Sequence, residues 1–204
     1  MHRFIHEEIK KLSNLLIQIQ KDSTLLNTVN RAAQFCIDTI KNGKKILFAG
    51  NGGSAADAQH LAAELVGRLR FNRPGLPAIA LTTDTSALTA IGNDYGFDLI
   101  FSRQVEALGQ PGDVLIGIST SGKSSNVLNA LKVAREKNIT TIGMTGKQAP
   151  LMDEQCDLII HVPSNETSKI QECHILLGHI VCAIIEDQLF GTQHDMARIS
   201  TEVA

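Results

Sequence analysis

The sequence predicts an α/β protein: a doubly wound parallel sheet with helices on both faces, in a nucleotide-fold-like three-layer sandwich. Five short runs are apolar throughout rather than alternating, which is typical of parallel strands buried on both faces. Stretches with helical spacing separate these runs, as expected where crossover helices connect parallel strands. The five predicted strands cover residues 45–49, 78–81, 113–118, 140–144 and 158–162.

Two helices are predicted before the first strand. Apolar residues recur at helical spacing from Leu12 to Ile40, and Asn42-Gly43 is a good signal for the end of a helix. We expect residues 1–43 to form a helical hairpin that packs on the core and within an oligomer. Residues 44–190 should form a single α/β domain, followed by a C-terminal tail at 191–204.

The remaining helices lie between or after the strands. They are predicted at about 54–70, 86–91, 101–108, 125–137 and 168–190, the last being unusually long. Right-handed crossovers place the loops after the strands along the carboxyl edge of the sheet, where such folds bind ligands. The two most unusual loops follow the first and third strands, so they should meet at this edge.

The composition indicates a soluble, cytosolic, globular protein. Of 204 residues, 43% are hydrophobic and 20% are charged, and a formal net charge of −2 gives no reason to expect nucleic-acid binding. The charged N-terminus is not a secretory signal, and the apolar run at 175–185 is shorter than the roughly 20 residues that cross a bilayer. The four cysteines have no CxxC spacing, which favours reduced thiols.

The first unusual loop has the sequence GNGGSA at residues 50–55 and matches the pattern G-x-G-x-x-[GA]. Glycines let the backbone approach a ligand closely, and the helix N-terminus that follows offers free N–H groups to an anion. A dinucleotide site also needs an acid about 20 residues later, but the first acid after the second strand is Asp84. A phosphate-type ligand is therefore favoured over a dinucleotide, while a tight turn without ligand stays an alternative.

The second loop contains a false P-loop. Read from Gly117, the sequence fits G-x-x-x-x-G-K-[ST], yet Gly117 lies inside the predicted third strand. No later strand ends in the Asp that would hold Mg²⁺, so nucleoside triphosphate hydrolysis is disfavoured. What remains is a group of hydroxyls at a helix N-terminus, which suits a monoester phosphate but could also be a Ser-rich cap. These hydroxyls belong to Ser119, Thr120, Ser121 and Ser124.

Histidines and a carboxylate provide candidate chemistry near these loops. His60 and Glu64 are four residues apart on the helix after the first loop, so they share a face, although such pairs are often plain surface contacts. On the C-terminal helix, Gln171 and His179 interrupt apolar sequence. His179 could be a satisfied core histidine, but a helix apolar on all faces also favours burial against another subunit.

Taken together, these motifs resemble the phosphoheptose isomerases of the sugar isomerase (SIS) superfamily. The resemblance rests on GNGGSAADAQH at 50–60 with Glu64, IGND at 91–94, ISTSG at 118–122, and IQECH at 170–174 with a later histidine, and it extends to about residue 190. It implies an SIS-type fold and the interconversion of sedoheptulose 7-phosphate and D-glycero-D-manno-heptose 7-phosphate. That reaction begins ADP-heptose and lipopolysaccharide core synthesis. The family consists of cytoplasmic homotetramers, several of which bind zinc.

The resemblance also implies a role for each matching residue. Glu64 and His179 become the base and acid pair. One zinc ion per subunit is expected, with the ligands His60, Glu64, Gln171 and His179. Contacts to the sugar are expected from Asn51, Gly52, Gly53, Glu64, Asn93, Asp94 and Gln171. Contacts to the phosphate are expected from Ser119, Thr120, Ser121 and Ser124.

Two residues depart from the family pattern. Lys123 stands where relatives often have Asn, and this residue creates the false P-loop. Lys169 stands where many relatives have Arg, and it is expected to leave a positive charge near the site.

The residue types agree with aldose–ketose isomerisation. That reaction moves a proton between C1 and C2 through an enediol, which one carboxylate and one imidazole can carry out. Two histidines, a carboxylate and an amide oxygen are acceptable to Zn²⁺, which would polarise the carbonyl. The alternative is a non-catalytic SIS protein that associates with the replication initiator, but the presence of both Glu64 and His179 favours the enzyme. A sugar-phosphate sensor is less favoured, because no DNA-binding segment is attached.

The spacing on the C-terminal helix predicts a site that depends on the oligomer. Gln171 and His179 are eight residues apart, which corresponds to a rise of about 12 Å and a rotation of about 80° on an α-helix. Two side chains so placed can barely meet at one ion. Either the site is stretched across two helical turns of one chain, or an adjacent chain supplies part of it. The apolar stretch at 175–185 favours the second, so we expect an adjacent chain to contribute to the site, with no nucleic acid or membrane as a partner.

Overall fold

The computed structural model describes residues 2–202, with side chains described for residues 2–191. Five parallel strands form one sheet in the order β2-β1-β3-β4-β5. The strands are β1 (Ile46–Gly50), β2 (Ala78–Ala80), β3 (Val114–Ile118), β4 (Thr140–Thr145) and β5 (Leu158–His161). The predicted doubly wound parallel sheet is therefore confirmed, with each strand within about one residue of its predicted bounds.

Eight α-helices are present among the described residues, with one 3₁₀ turn at Phe97–Leu99. They are α1 (His2–Lys21), α2 (Ser23–Lys41), α3 (Gly53–Val66), α4 (Thr85–Tyr95), α5 (Ser102–Leu108), α6 (Ser125–Glu136), α7 (Pro150–Asp153) and α8 (Thr167–Glu202). Local sequence explains several of their ends. Asp22 and Asp84 cap α2 and α4 by accepting N–H bonds from Leu25 and Ala87. Gly43, at a φ of +68°, follows the end of α2, as its position in the sequence predicted.

The two faces of the sheet carry separate cores. On one face, α2 and α3 each pack against α8 and on the strands, and this core includes Ala33, Leu61 and Leu177. On the other face, α5 and α6 enclose Val105 and Leu131. Helices α3 and α8 thus run side by side on one face, which brings residues far apart in sequence together.

Four helices differ from the prediction, and one of them, α4, continues to Tyr95 rather than ending near residue 91. Helix α3 ends at Val66 rather than near residue 70, because the chain turns away at Gly67. Helix α7 was not predicted, since four residues beginning at a proline give no periodic signal. Helix α8 continues to Glu202 rather than ending near residue 190.

By length and composition alone, the Thr167–Gly191 stretch of α8 could cross a membrane. The uninterrupted apolar run at 175–185 is shorter than this stretch, which is why the sequence predicted no membrane span. The helix packs against α2 and α3, and it carries His174 and Glu186 fully buried within the protein. These contacts are typical of the core helix of a soluble domain.

Candidate active site

The strand order reverses between β1 and β3, and the two unusual loops lie at this point. Strand β1 leads to β2 on one side, whereas β3 leads to β4 and β5 on the other. Gly50 is paired with Ile118, so the loops that follow these residues leave the sheet at the same level. Such a reversal opens a crevice at the carboxyl ends of the strands, where doubly wound folds bind ligands.

Three of the predicted chemical groups meet between α3 and α8. His60 Nε2 lies 2.8 Å from His179 Nε2 and 3.2 Å from Glu64 Oε1. His179 Nε2 lies 3.9 Å from the same carboxylate oxygen. The two imidazole rings stand edge to face, with centroids 4.9 Å apart. We call His60, Glu64 and His179 the triad.

The triad is assembled from two helices of one chain. His60 and Glu64 share a face of α3, and His179 reaches them from α8. The helices approach closely because Gly178 has no side chain: a Cβ there would lie 2.6 Å from Leu61 Cδ1. Gly178 thus lets the residue beside it, His179, face the gap between His60 and Glu64.

The donor set of the triad suits a divalent metal. Its three ligand atoms all lie within 4.8 Å of one another, and each side chain retains some exposure to solvent. Two imidazole nitrogens and a carboxylate oxygen form a common catalytic zinc set, in which a fourth position stays open. Ligand atoms on one tetrahedral zinc ion lie about 3.3 Å apart, which slight ring rotations would reach from the observed 2.8 Å.

Gln171, the fourth expected ligand, lies beside the first loop. A Cβ on Gly53 would be 2.5 Å from Gln171 Nε2, so the amide rests directly on the glycine backbone. The preceding Gly52 has a φ of +56°, a conformation that favours glycine, and it caps α3. The first loop therefore needs glycine at 53 for close approach and at 52 for backbone geometry, and Gln171 joins α8 to this loop.

Asn51 and Asn126 connect the two loops directly. Asn51 Nδ2 donates to Asn126 Oδ1 at 2.8 Å, and Asn126 Nδ2 donates back to Asn51 Oδ1 at 2.9 Å. Asn126 is buried in α6, where its Oδ1 also accepts the backbone N–H of Val127. The side chain of Asn51 is thus occupied by this amide pair, and its backbone carbonyl accepts the N–H of Ser54. Sequence reasoning missed Asn126, although it follows the predicted hydroxyl cradle by two residues.

The second loop presents the predicted hydroxyls at the N-terminus of α6. Ser119 Oγ and Ser124 Oγ lie 2.9 Å apart, and Ser124 occupies the N-cap position without a capping bond from its side chain. Gly122, at a φ of +62°, allows the tight turn between them, and the N–H of Lys123 donates to Ser121 Oγ. Thr120 accepts the backbone N–H of Gly146 through its carbonyl, which ties the loop to the end of β4.

The P-loop reading fails in the structure. Gly117 is paired with Ala49 and Gly143 in the middle of the sheet, so it cannot begin a phosphate loop. A Cβ there would lie 3.0 Å from Val127 and 3.2 Å from Leu131, which gives this glycine a packing role between β3 and α6.

The sequence analysis named three more residues, two of them on α4 and one on α8. Asn93 and Asp94 are exposed on α4 and are bonded to each other at 2.8 Å. Lys169, expected to leave a positive charge near the site, is 9% exposed and lies between Glu8 and Glu172 at 3.3 and 3.1 Å. Its positive charge is therefore compensated by two carboxylates.

Asp57 is an acidic group of this region that the sequence reasoning did not single out. It precedes His60 by one helical turn, and its Oδ2 is buried without a hydrogen-bond partner. Burial raises the pKa of the Asp57 carboxyl to about 6, and the nearby His60 offsets only part of that rise. Its i, i+3 spacing from His60 was the signal that could have identified it.

Comparisons with known proteins identify similar sequences and structures. The SIS domain family matches residues 9–146. The phosphoheptose isomerase of Burkholderia pseudomallei (strain 1710b) is 56% identical over 190 residues, covering 93% of this chain and 96% of that protein. The phosphoheptose isomerase of Aliarcobacter butzleri is 61% identical over 166 residues, covering 81% and 88%. The structure of phosphoheptose isomerase from Neisseria gonorrhoeae superimposes with a TM-score of 0.86 at 45% identity, covering 91% of this chain and 98% of that one.

Proposed function

The chain belongs to the phosphoheptose isomerases of the SIS-domain family, and on that basis we propose that it interconverts sedoheptulose 7-phosphate and D-glycero-D-manno-heptose 7-phosphate. The observation that carries the proposal is the meeting of Glu64 and His179 between α3 and α8, in a fold that also carries two loops suited to a sugar phosphate. A carboxylate and an imidazole at one point are the groups that proton transfer between adjacent carbons requires.

The proposed reaction uses Glu64 and His179 in opposite roles. Glu64 removes a proton from C1 of the ketose while His179 donates a proton to the carbonyl oxygen at C2. The resulting enediol becomes the aldose when C2 gains a proton and the C1 hydroxyl loses one. Because Glu64 Oε1 and His179 Nε2 lie 3.9 Å apart, both can reach adjacent atoms of one substrate.

The two loops supply binding in this proposal. Ser119, Thr120, Ser121 and Ser124 hold the phosphate at the N-terminus of α6, where free N–H groups and the helix dipole favour an anion. The backbone of Asn51, Gly52 and Gly53 faces the sugar, together with Gln171. Asn93 and Asp94 help to position the sugar chain, as the family pattern implies.

We propose one Zn²⁺ per subunit, held by His60, Glu64 and His179, with Gln171 as a further ligand once its amide leaves its place on Gly53. When bound, the ion polarises the substrate carbonyl and stabilises negative charge that develops on the oxygens. The donor types of the triad support this assignment. Coordination also makes Glu64 a weaker base, so the balance between the two roles of this carboxylate is part of the proposal.

The cellular assignments follow from the family. We propose a cytoplasmic homotetramer that catalyses the first step towards ADP-heptose and the lipopolysaccharide core. Residues 1–43, with α1 and α2, would pack on the core and in the oligomer, and a neighbouring chain would complete the site. The alternative, a non-catalytic protein associated with the replication initiator, receives no support from relatives named as phosphoheptose isomerases.

Direct assay tests the proposal. Purified protein is incubated with sedoheptulose 7-phosphate and the product is identified by ¹H NMR, with Glu64→Gln as the matched control. We expect conversion to the heptose phosphate by the native protein and loss of at least about 10²-fold in the control. Equal activity of the two proteins, or none in the native one, would remove the proposed function.

A further inference from the structure

A buried ion pair joins the end of α3 to α8, away from the triad itself. Arg73 Nε lies 3.0 Å from Glu186 Oε1, and the two side chains are 1% and 0% exposed. Arg73 belongs to the loop after α3, and Glu186 lies on α8. Charges buried so completely persist only where their remaining hydrogen bonds are also made.

Every polar group of this pair has a partner. Glu186 accepts the backbone N–H groups of Leu69 at 3.1 Å and Arg70 at 2.8 Å. The Arg73 guanidinium donates to four backbone carbonyls, those of Glu64 (2.8 Å), Leu65 (2.7 Å), Gly67 (3.0 Å) and Pro74 (3.0 Å).

The guanidinium acts as the C-terminal cap of α3. The last carbonyls of an α-helix have no partner within the helix, and a cation is favourable at that end. Arg73 satisfies the carbonyls of Glu64 and Leu65 in the last turn, which ends at Val66. Glu186 then anchors both this cap and the following loop to α8.

These contacts connect the pair to the triad on both helices. On α3, the residue whose carbonyl Arg73 holds is Glu64, the proposed base. On α8, Glu186 follows His179 by seven residues, two turns or about 10.5 Å further on nearly the same face. The close contact of Gly178 with Leu61 fixes the same helices one residue from His179. Two contacts therefore set the distance between Glu64 and His179: the packing of Gly178 on Leu61, and the ion pair.

We propose that Arg73 and Glu186 are positioning residues for the isomerase reaction, holding Glu64 on α3 at its working distance from His179 on α8. The inference rests on the proposed function of the triad. Neither residue needs to touch the substrate. A misplacement of about 1 Å between reacting groups can lower a rate about 10²-fold, so small changes in the pair should reach the chemistry.

The structure supplies a matched control in a second buried ion pair. Lys45 Nζ lies 2.7 Å from Asp113 Oδ2, and Asp113, itself 0% exposed, accepts the backbone N–H groups of Lys45 and Gln110. Asp113 immediately precedes β3, so this pair lies at the amino edge of the sheet, away from the two loops at the carboxyl edge. Its carboxylate resembles that of the first pair in burial and hydrogen bonding, whereas Lys45 is 19% exposed, and the pair does not join α3 to α8.

The experiment compares Arg73→Lys and Glu186→Asp with Asp113→Asn. Arg73→Lys keeps the positive charge but replaces the planar guanidinium. Glu186→Asp keeps the negative charge but shortens the side chain. For each folded protein we would measure kcat and KM with sedoheptulose 7-phosphate, Zn²⁺ affinity by chelator competition, and thermal unfolding. We expect Arg73→Lys and Glu186→Asp to lower kcat at least about tenfold, with KM within about threefold, and to weaken Zn²⁺ binding. Asp113→Asn should lower only the unfolding temperature.

Unchanged kcat and Zn²⁺ affinity in the folded Arg73→Lys and Glu186→Asp proteins would overturn the proposal. Equal losses in Asp113→Asn would do the same, because the effect would then reflect general stability. If Arg73→Lys does not fold, Glu186→Asp decides, and failure of both to fold would assign the pair a structural role alone. A native protein without turnover would remove the proposed function, whereas the Zn²⁺ titrations would still test the pair.

Discussion

The amide pair between Asn51 and Asn126 offers the sharpest test of how the two loops cooperate. Substituting Asn126 with alanine removes both hydrogen bonds between the loops and the bond to the N–H of Val127. The side chain of Asn126 is 2% exposed and belongs to α6, so the change leaves the triad itself untouched.

The expected magnitude follows from the two bonds that cross between the loops. A neutral intramolecular hydrogen bond contributes about 1 kcal/mol net, so about 2 kcal/mol of loop ordering is lost. If substrate binding must restore that order, KM should rise by up to about 30-fold, since about 1.4 kcal/mol corresponds to a factor of ten. The value of kcat should change little, because Glu64 and His179 keep their positions.

Steady-state kinetics with sedoheptulose 7-phosphate, together with inhibition by inorganic phosphate, measures this effect. The control is Asn129→Ala on the same helix, which removes a bond from Asn129 Nδ2 to the carbonyl of Asp98 (3.0 Å) outside the pair. A KM of Asn126→Ala within twofold of native, in a protein that is folded, would show that the pair does not set the spacing of the loops.

Three further predictions concern the acid–base pair, the false P-loop and a buried histidine. Glu64→Gln and His179→Gln should each lower kcat by at least about 10²-fold while binding survives better; near-native turnover in either would disprove the assigned role. Lys123→Ala should keep activity within about tenfold, because amides and hydroxyls hold the phosphate; tight Mg·ATP binding by the native protein would contradict this. Burial lowers the pKa of His174 to about 4 in the folded protein, below its unfolded value of about 6.5. The unfolded state therefore binds more protons as the pH falls, and stability should drop by about 2 kcal/mol between pH 8 and pH 5. Urea unfolding of the native protein and His174→Gln at both pH values checks this: the variant should lose that part of the drop, and an equal drop would refute it.

Much of the fold was accessible from the sequence because its signals are local. Continuously apolar runs mark parallel strands buried on both faces, and all five were predicted close to their observed bounds. The end of α8 was missed because the sequence after Phe190 loses its apolar pattern, although the helix continues to Glu202. Helix α7 has only four residues, which is too short for periodicity to detect.

The candidate site was only partly predictable. His60 and Glu64 could be paired through their helical spacing, but joining them to His179 needed the family resemblance, because nothing local links residues 119 positions apart. The partners that hold the site in place were missed for the same reason. Asn126, Arg73 and Glu186 act through contacts between distant segments, and a polar residue gives no sign in the sequence that its partner will be buried with it.

Isomerisation of sedoheptulose 7-phosphate in D₂O tests the central claim most directly. Proton transfer by Glu64 through an enediol predicts that the heptose phosphate forms and carries solvent deuterium at C2, because the carboxylate is 18% exposed and can exchange its proton. The label is read by ¹H NMR and mass spectrometry, with Glu64→Gln as the control that should give neither product nor label. Unconverted ketose, or product without deuterium at C2, would contradict the account.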